Sequence, residues 1–181
     1  MRSTKLLFAA TVLVALSAIL AGSHAAAQEI PQPIGRPCKH PCVNKIRFVP
    51  GPKLDILELH ARIVPVSSID PASEAFTVEL TDGGGGTIFT ATLNPGAFTL
   101  RGKRYIYRNP AARTAGGLFR VQIAERENAG DGYRVDVIAY GDLSAATTPD
   151  ITTFIAVGDD GFFDTSMWTQ RSYGWSVDFP S

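Results

Sequence analysis

From about residue 43 the apolar residues of this chain recur at every second position, a period that specifies strands where 3.6 would specify helices. Phe76, Val78 and Leu80 alternate with Thr77 and Glu79. Phe89, Ala91 and Leu93 alternate with Thr90 and Thr92, and Phe119, Val121 and Ile123 with Arg120 and Gln122. Tyr133, Val135, Val137 and Ala139 form a further row, as do Ile151, Thr153, Ile155 and Val157. Each run offers one face to a core and one, largely polar, to solvent. Asp82-Gly83, Asp131-Gly132 and Asp160-Gly161 fall between such runs, where hairpin turns require positive φ. Leu54 and Ile56 share one phase, while Leu57, Leu59, Ala61 and Ile63 take the other. A β-bulge near Ile56 would produce that slip. The pattern predicts an all-β fold of about eight to ten short strands, an immunoglobulin-like β-sandwich, with a small β-barrel or jelly roll as the alternative.

The N-terminus has a different character. Arg2 and Lys5 precede a nearly unbroken apolar run from Leu6 to Ala21, and Ala25-Ala26-Ala27 supplies small residues for cleavage before Gln28. This is the layout of a secretory signal peptide over residues 1–27. The run is short of the roughly 20 residues of a comfortable membrane span. No later stretch could span, so no transmembrane segment is expected after cleavage. The expected location is periplasmic or secreted. Losing residues 1–27 removes two basic residues and no acid, so 17 basic residues become 15 against 17 acidic ones, a net charge of −2. A dedicated nucleic-acid binder would carry a basic excess. Residues 28–42 form a Pro-rich lead-in, whose prolines exclude a helix or a central strand. Residues 43–181 are read as a single β-sandwich domain.

Four segments, Lys45-Ile46-Arg47-Phe48, Leu57-Glu58-Leu59-His60-Ala61-Arg62, Ile69-Asp70-Pro71 and Gly141-Asp142-Leu143-Ser144-Ala145-Ala146-Thr147, together resemble a group of bacterial secreted β-sandwich modules of unknown function. The resemblance covers roughly residues 43–178. It implies an exported β-module and carries no activity, cofactor or site residue with it.

Cys38-Lys39-His40-Pro41-Cys42 is the sharpest local feature. Two cysteines in an exported chain pair as a rule. Four positions apart around a turn, their Cα atoms come within the roughly 4.4–6.8 Å a disulfide needs. So small a loop would contribute about 2 kcal/mol. The competing readings are a copper or zinc site using Cys38, His40 and Cys42, and a redox dithiol. A structural zinc site lacks an evident fourth ligand, since His24 leaves with the signal and only His60 remains. A redox motif would open a helix in a βαβ unit, and none is visible.

Two further stretches are candidates for ligand contact. Arg101-Gly102-Lys103-Arg104-Tyr105-Ile106-Tyr107-Arg108 places Arg104, Ile106 and Arg108 on one strand face, opposite Tyr105 and Tyr107. That face could grip a polyanionic glycan or a phosphate; the plainer reading is a solvated surface. A two-residue turn at Arg171-Ser172 would set Trp168 directly across from Trp175, a sugar-stacking platform if exposed and a core pair if buried. Asp159, Asp160 and Asp164 around Gly161 do not follow the EF-hand spacing and read as a charged hairpin tip. His60 alternates with Glu58 and Arg62 on an outward face. No Gly-x-Ser-x-Gly elbow, His-Glu-x-x-His or phosphate loop is present, so no catalytic residue and no cofactor is assigned. The expected function is an exported, non-enzymatic module that binds a glycan or a protein partner. A secreted carbohydrate-active enzyme and a metal carrier are the alternatives.

Overall fold

The computed structural model describes residues 31–35, 42–126 and 132–179. The signal-peptide segment, Cys38, His40, the side chain of Cys42, and Asp131 lie outside the described residues, and with them the disulfide, metal and redox readings.

In chain order the strands are β1 (Gln32–Pro33), β2 (Cys42–Arg47), β3 (Asp55–Ile63), β4 (Phe76–Asp82), β5 (Thr87–Leu93), β6 (Thr99–Arg101) and β7 (Arg104–Arg108). One helical turn, α1 (Ala112–Ala115), follows. Then come β8 (Gly117–Glu125), β9 (Tyr133–Gly141), β10 (Asp150–Val157), β11 (Asp160–Met167), β12 (Thr169–Arg171) and β13 (Gly174–Phe179). They form one sheet in the order β1-β11-β10-β4-β5 and another in the order β12-β13-β2-β3-β9-β8-β7-β6. The sheets pack face to face as an all-β sandwich. Ten of the thirteen strands have five residues or more. The division is five strands and eight, where immunoglobulin constant domains divide seven as four and three.

The alternating rows supply the core. Phe76, Val78, Leu80, Ile151, Ile155 and Val157 from the smaller sheet face Leu57, Leu59, Ile63, Val121, Ile123, Val135 and Val137 from the larger. Thr153 is buried in its row, as its phase requires. The connection from β5 to β6 carries Phe98 between the layers. Its ring meets Phe76 edge-on at 5.7 Å and Tyr107 of the larger sheet at 6.3 Å.

Several sequence expectations are corrected. Pairing of β3 with β2 and β9 runs without a register shift, so there is no bulge at Ile56. Leu54 and Ile56 are half-buried on the outward side. On the same outward side α1 packs over β8 and β9, with Ala112 fully buried, and Leu54 lies beside Gly116 just after α1. Nearby on β9, Tyr140 lies directly opposite Ile56. The bulges fall elsewhere, between Leu80 and Thr81 and between Leu118 and Arg120. Phe119 is the extra residue of the second. Leu118, not Phe119, enters the core with Val121 and Ile123. Phe119 meets Tyr140 edge-on at 5.6 Å and lies under the Arg113 guanidinium, 4.5 Å from its ring centre. A bulge lets two core residues stand three positions apart, which strict alternation cannot do. The β10–β11 turn is Gly158-Asp159, with Val157 opposite Asp160, so Asp160-Gly161 lies inside the strand. Gly158 takes φ +58° at the first turn position, where a type II′ turn places glycine.

The lead-in is partly structured. Gln32 and Pro33 pair in parallel with β11, an edge position that proline tolerates. The Ile34 N–H donates to the Phe163 carbonyl at 2.7 Å, and Gly35 then bridges to Arg62 of β3. These residues strap one sheet to the other.

Candidate functional site

The outward side chains of the larger sheet form rows that cross its strands. One row runs Arg101, Arg104, Ala124, Arg134, Arg62 from β6 to β3. The next runs Thr99, Ile106, Gln122, Asp136, His60. A third runs Arg108, Arg120, Ile138, Glu58, Lys45 from β7 to β2. Rows two residues apart along a strand are about 7 Å apart.

Toward β3 these charges neutralise one another. His60 Nδ1 lies 2.7 Å from Asp136 Oδ1, and Arg134 Nε lies 3.0 Å from the same carboxylate. Arg47 pairs with Glu58. The two carboxylates of these rows, Asp136 and Glu58, are therefore both held by cations. No serine or cysteine stands beside His60 in its row.

Burial opposes ionisation of Asp136, but hydrogen bonds from His60 and Arg134 and their charges outweigh it and hold the carboxyl below its ordinary value. A carboxyl whose folded pKa is depressed contributes stability above its unfolded value, and that contribution is lost as pH falls through the folded pKa. Asp136→Asn is therefore expected to melt lower than the wild type above about pH 4. The gap should close as the acid limb is descended. Thermal melts across the acidic range check this, and a gap of constant size would refute the assignment.

Toward β6 the cations have no such partners. Arg101, Arg104, Arg108 and Arg120 make no ion pair among the described residues. Arg101 stands directly opposite Arg104, and Arg108 directly opposite Arg120. Like charges facing each other across strands are destabilising by some tenths of a kcal/mol, up to about 1. Between the two pairs lies a recess of about 510 Å³, walled by Arg101, Arg108 and Arg120 and floored by Thr99, Ile106 and Gln122. The Arg120 Nε, like that of Arg47, is buried without a hydrogen-bond partner among the described residues. A buried donor left unmade costs roughly 1–3 kcal/mol, more for a charged group.

Of the residues singled out from sequence, Arg104 and Arg108 belong to this basic surface, with Arg108 lining the recess and Arg104 beside it. Arg101 lies in the candidate stretch but its place on this face, like the whole contribution of Arg120, depends on the hairpin register and the β7–β8 pairing, which no linear run contains. The available signal was Gly102, whose φ of +61° makes Gly102-Lys103 a two-residue turn and so sets Arg101 across from Arg104.

The tryptophans are placed differently from the sequence expectation. The turn is Ser172-Tyr173, so Gln170, not Trp168, stands opposite Trp175. Trp168 and Trp175 are 3% and 6% exposed. Trp175 Nε1 donates to the Ala146 carbonyl at 2.6 Å and so anchors the loop that leaves β9 for β10. Asp55 holds the same loop from below, accepting from the Leu143 and Val49 N–H groups. A second recess of about 490 Å³ opens beside Trp175, between Phe48 and Gln170. The burial of the ring leaves little face for a sugar to stack on. No group of three His, Cys, Asp or Glu among the described residues is placed to hold a metal ion. No helix among them is long and apolar enough to cross a membrane.

Fold and surface thus define a two-sheet sandwich with an uncompensated arginine cluster on one outer face. Comparison with protein-family models, with curated proteins and with solved structures finds no match.

Proposed function

We propose that this chain is an exported, non-enzymatic binding module that holds an anionic glycan against the β6–β8 end of its larger sheet. The observation that carries the reading is the set of four arginines, Arg101, Arg104, Arg108 and Arg120, on three adjacent strands with no carboxylate partner among the described residues. Facing cations are costly for a surface without a ligand and useful for one with an anionic ligand. Export rests on the residue 1–27 pattern and on the resemblance to secreted modules. A net charge near neutrality argues against bulk adsorption to polyanions and favours recognition of a local anionic group.

The purified protein is expected to bind dextran sulfate and not neutral dextran, with affinity falling as salt is added. Arg104→Ala combined with Arg108→Ala should weaken binding at least tenfold. Charge-assisted hydrogen bonds contribute roughly 1.5–3 kcal/mol each, and about 1.4 kcal/mol is tenfold. Equal binding to both dextrans, or no loss in the double variant, would overturn the reading.

A further inference from the structure

We infer that the recess between β6, β7 and β8 is a subsite for a tetrahedral ester group, sulfate or phosphate, carried on a sugar ring, with Arg120 as its central donor. The inference rests on the glycan-binding reading and narrows it. Three features of the recess select the group. First, its guanidinium-bearing residues arrive from three different strands: Arg101 from β6, Arg108 from β7 and Arg120 from β8. A carboxylate has two coplanar oxygens, both of which one guanidinium fork can engage. A tetrahedral ester presents three terminal oxygens, which can accept donors from three directions. Second, Arg120 is half-buried and stands directly opposite Arg108, so an anion between them would offset a repulsion that the folded chain otherwise carries. Third, a volume of about 510 Å³ far exceeds that of a bare oxyanion, and Ile106 and Thr99 give its floor an apolar and a hydroxyl component. That combination suits a sugar ring attached to the anion.

The test uses the full protein and three derivatives of one polymer with matched substitution: dextran sulfate, dextran phosphate and carboxymethyl-dextran. Binding to the sulfate or the phosphate ester, whichever is the tighter, should exceed that to the carboxylate at least tenfold. Their relative order identifies the natural head group. Arg120→Gln keeps a polar side chain of similar reach, and Arg101→Gln perturbs the recess independently from the edge hairpin. Each should reduce ester binding at least tenfold and leave carboxylate binding within threefold, with melting temperatures no lower than that of the wild type, since each relieves a facing like charge. If all three polymers bind equally and Arg120→Gln affects none, the subsite is refuted while the glycan-binding face stands. If no polymer binds, both fall. Preference for vesicles of anionic phospholipid over every dextran would also overturn the inference, by making the ligand a membrane surface.

Discussion

Phe76→Ala is expected to remove about 3–5 kcal/mol of stability, the cost of truncating a buried phenylalanine. Phe76 is fully buried at the start of β4 and pairs with Leu93 on one side and Val157 on the other. Its ring begins a chain of aromatic contacts that passes through Phe98 to Tyr107, and so joins the two sheets. Edge-to-face pairs add roughly 0.5–1.5 kcal/mol beyond the area they bury. Against a total stability of about 5–15 kcal/mol for a typical domain, the variant is at or near the folding threshold. Phe154→Ala is the control. Phe154 lies on the outward side of β10 in the same sheet, half-buried beside Phe163, and should cost about 1 kcal/mol. Urea denaturation of both variants checks the pair. Similar losses would mean that the two layers are not held by this aromatic contact.

The second large effect belongs to a glycine. Gly174→Ala is expected to destabilise by about 2–6 kcal/mol, combining backbone strain of roughly 1–3 kcal/mol with a similar cost for overpacking. Gly174 has φ +138°, and a Cβ built there would lie 2.1 Å from the Ile46 carbonyl oxygen. Neither the side chain nor that backbone oxygen can move without separating β13 from β2. Gly85→Ala offers the comparison: φ is +82°, with nothing within 4 Å. Only the conformational strain remains there, about 1 kcal/mol. The readout is again denaturation, with the joint fluorescence of Trp168 and Trp175 as a reporter of this end of the sheet. A loss no larger at Gly174 than at Gly85 would show that β13 can shift without penalty.

The architecture was legible in the sequence to the extent that it depends on local alternation. The rows Phe76-Val78-Leu80, Val135-Val137-Ala139 and Ile151-Thr153-Ile155-Val157 are all buried in the phase that was read. Alternation fails where geometry outside the strand intervenes. Phe119 looked like a core residue because nothing in a linear pattern distinguishes a bulge from a regular position. Leu54 and Ile56 break the alternation because they are half-buried on the outward side, Leu54 beside Gly116 and Ile56 beside Tyr140 of β9, neighbours that a linear pattern does not show. The binding surface was half legible. Arg104 and Arg108 share a strand and were found together, but Arg101 and Arg120 reach the same recess only through pairings between strands. Trp168 and Trp175 were misplaced by one turn residue, which in a hairpin is enough to change every cross-strand partner.

The position of β13 between β12 and β2 has a consequence for how the chain acquires its structure. Here the first long strand is completed by the last one: Lys45, Ile46 and Arg47 pair with β3 on one side and wait for Ser176, Trp175 and Gly174 on the other. Without β12 and β13, β2 would be an exposed edge of the larger sheet. Covering that edge joins contacts of very long sequence separation, the kind that makes folding slow. Until β13 is in place, β2 offers its hydrogen-bonding groups to any neighbouring chain. The β12–β13 hairpin thus covers an edge that would otherwise be a template for misassembly.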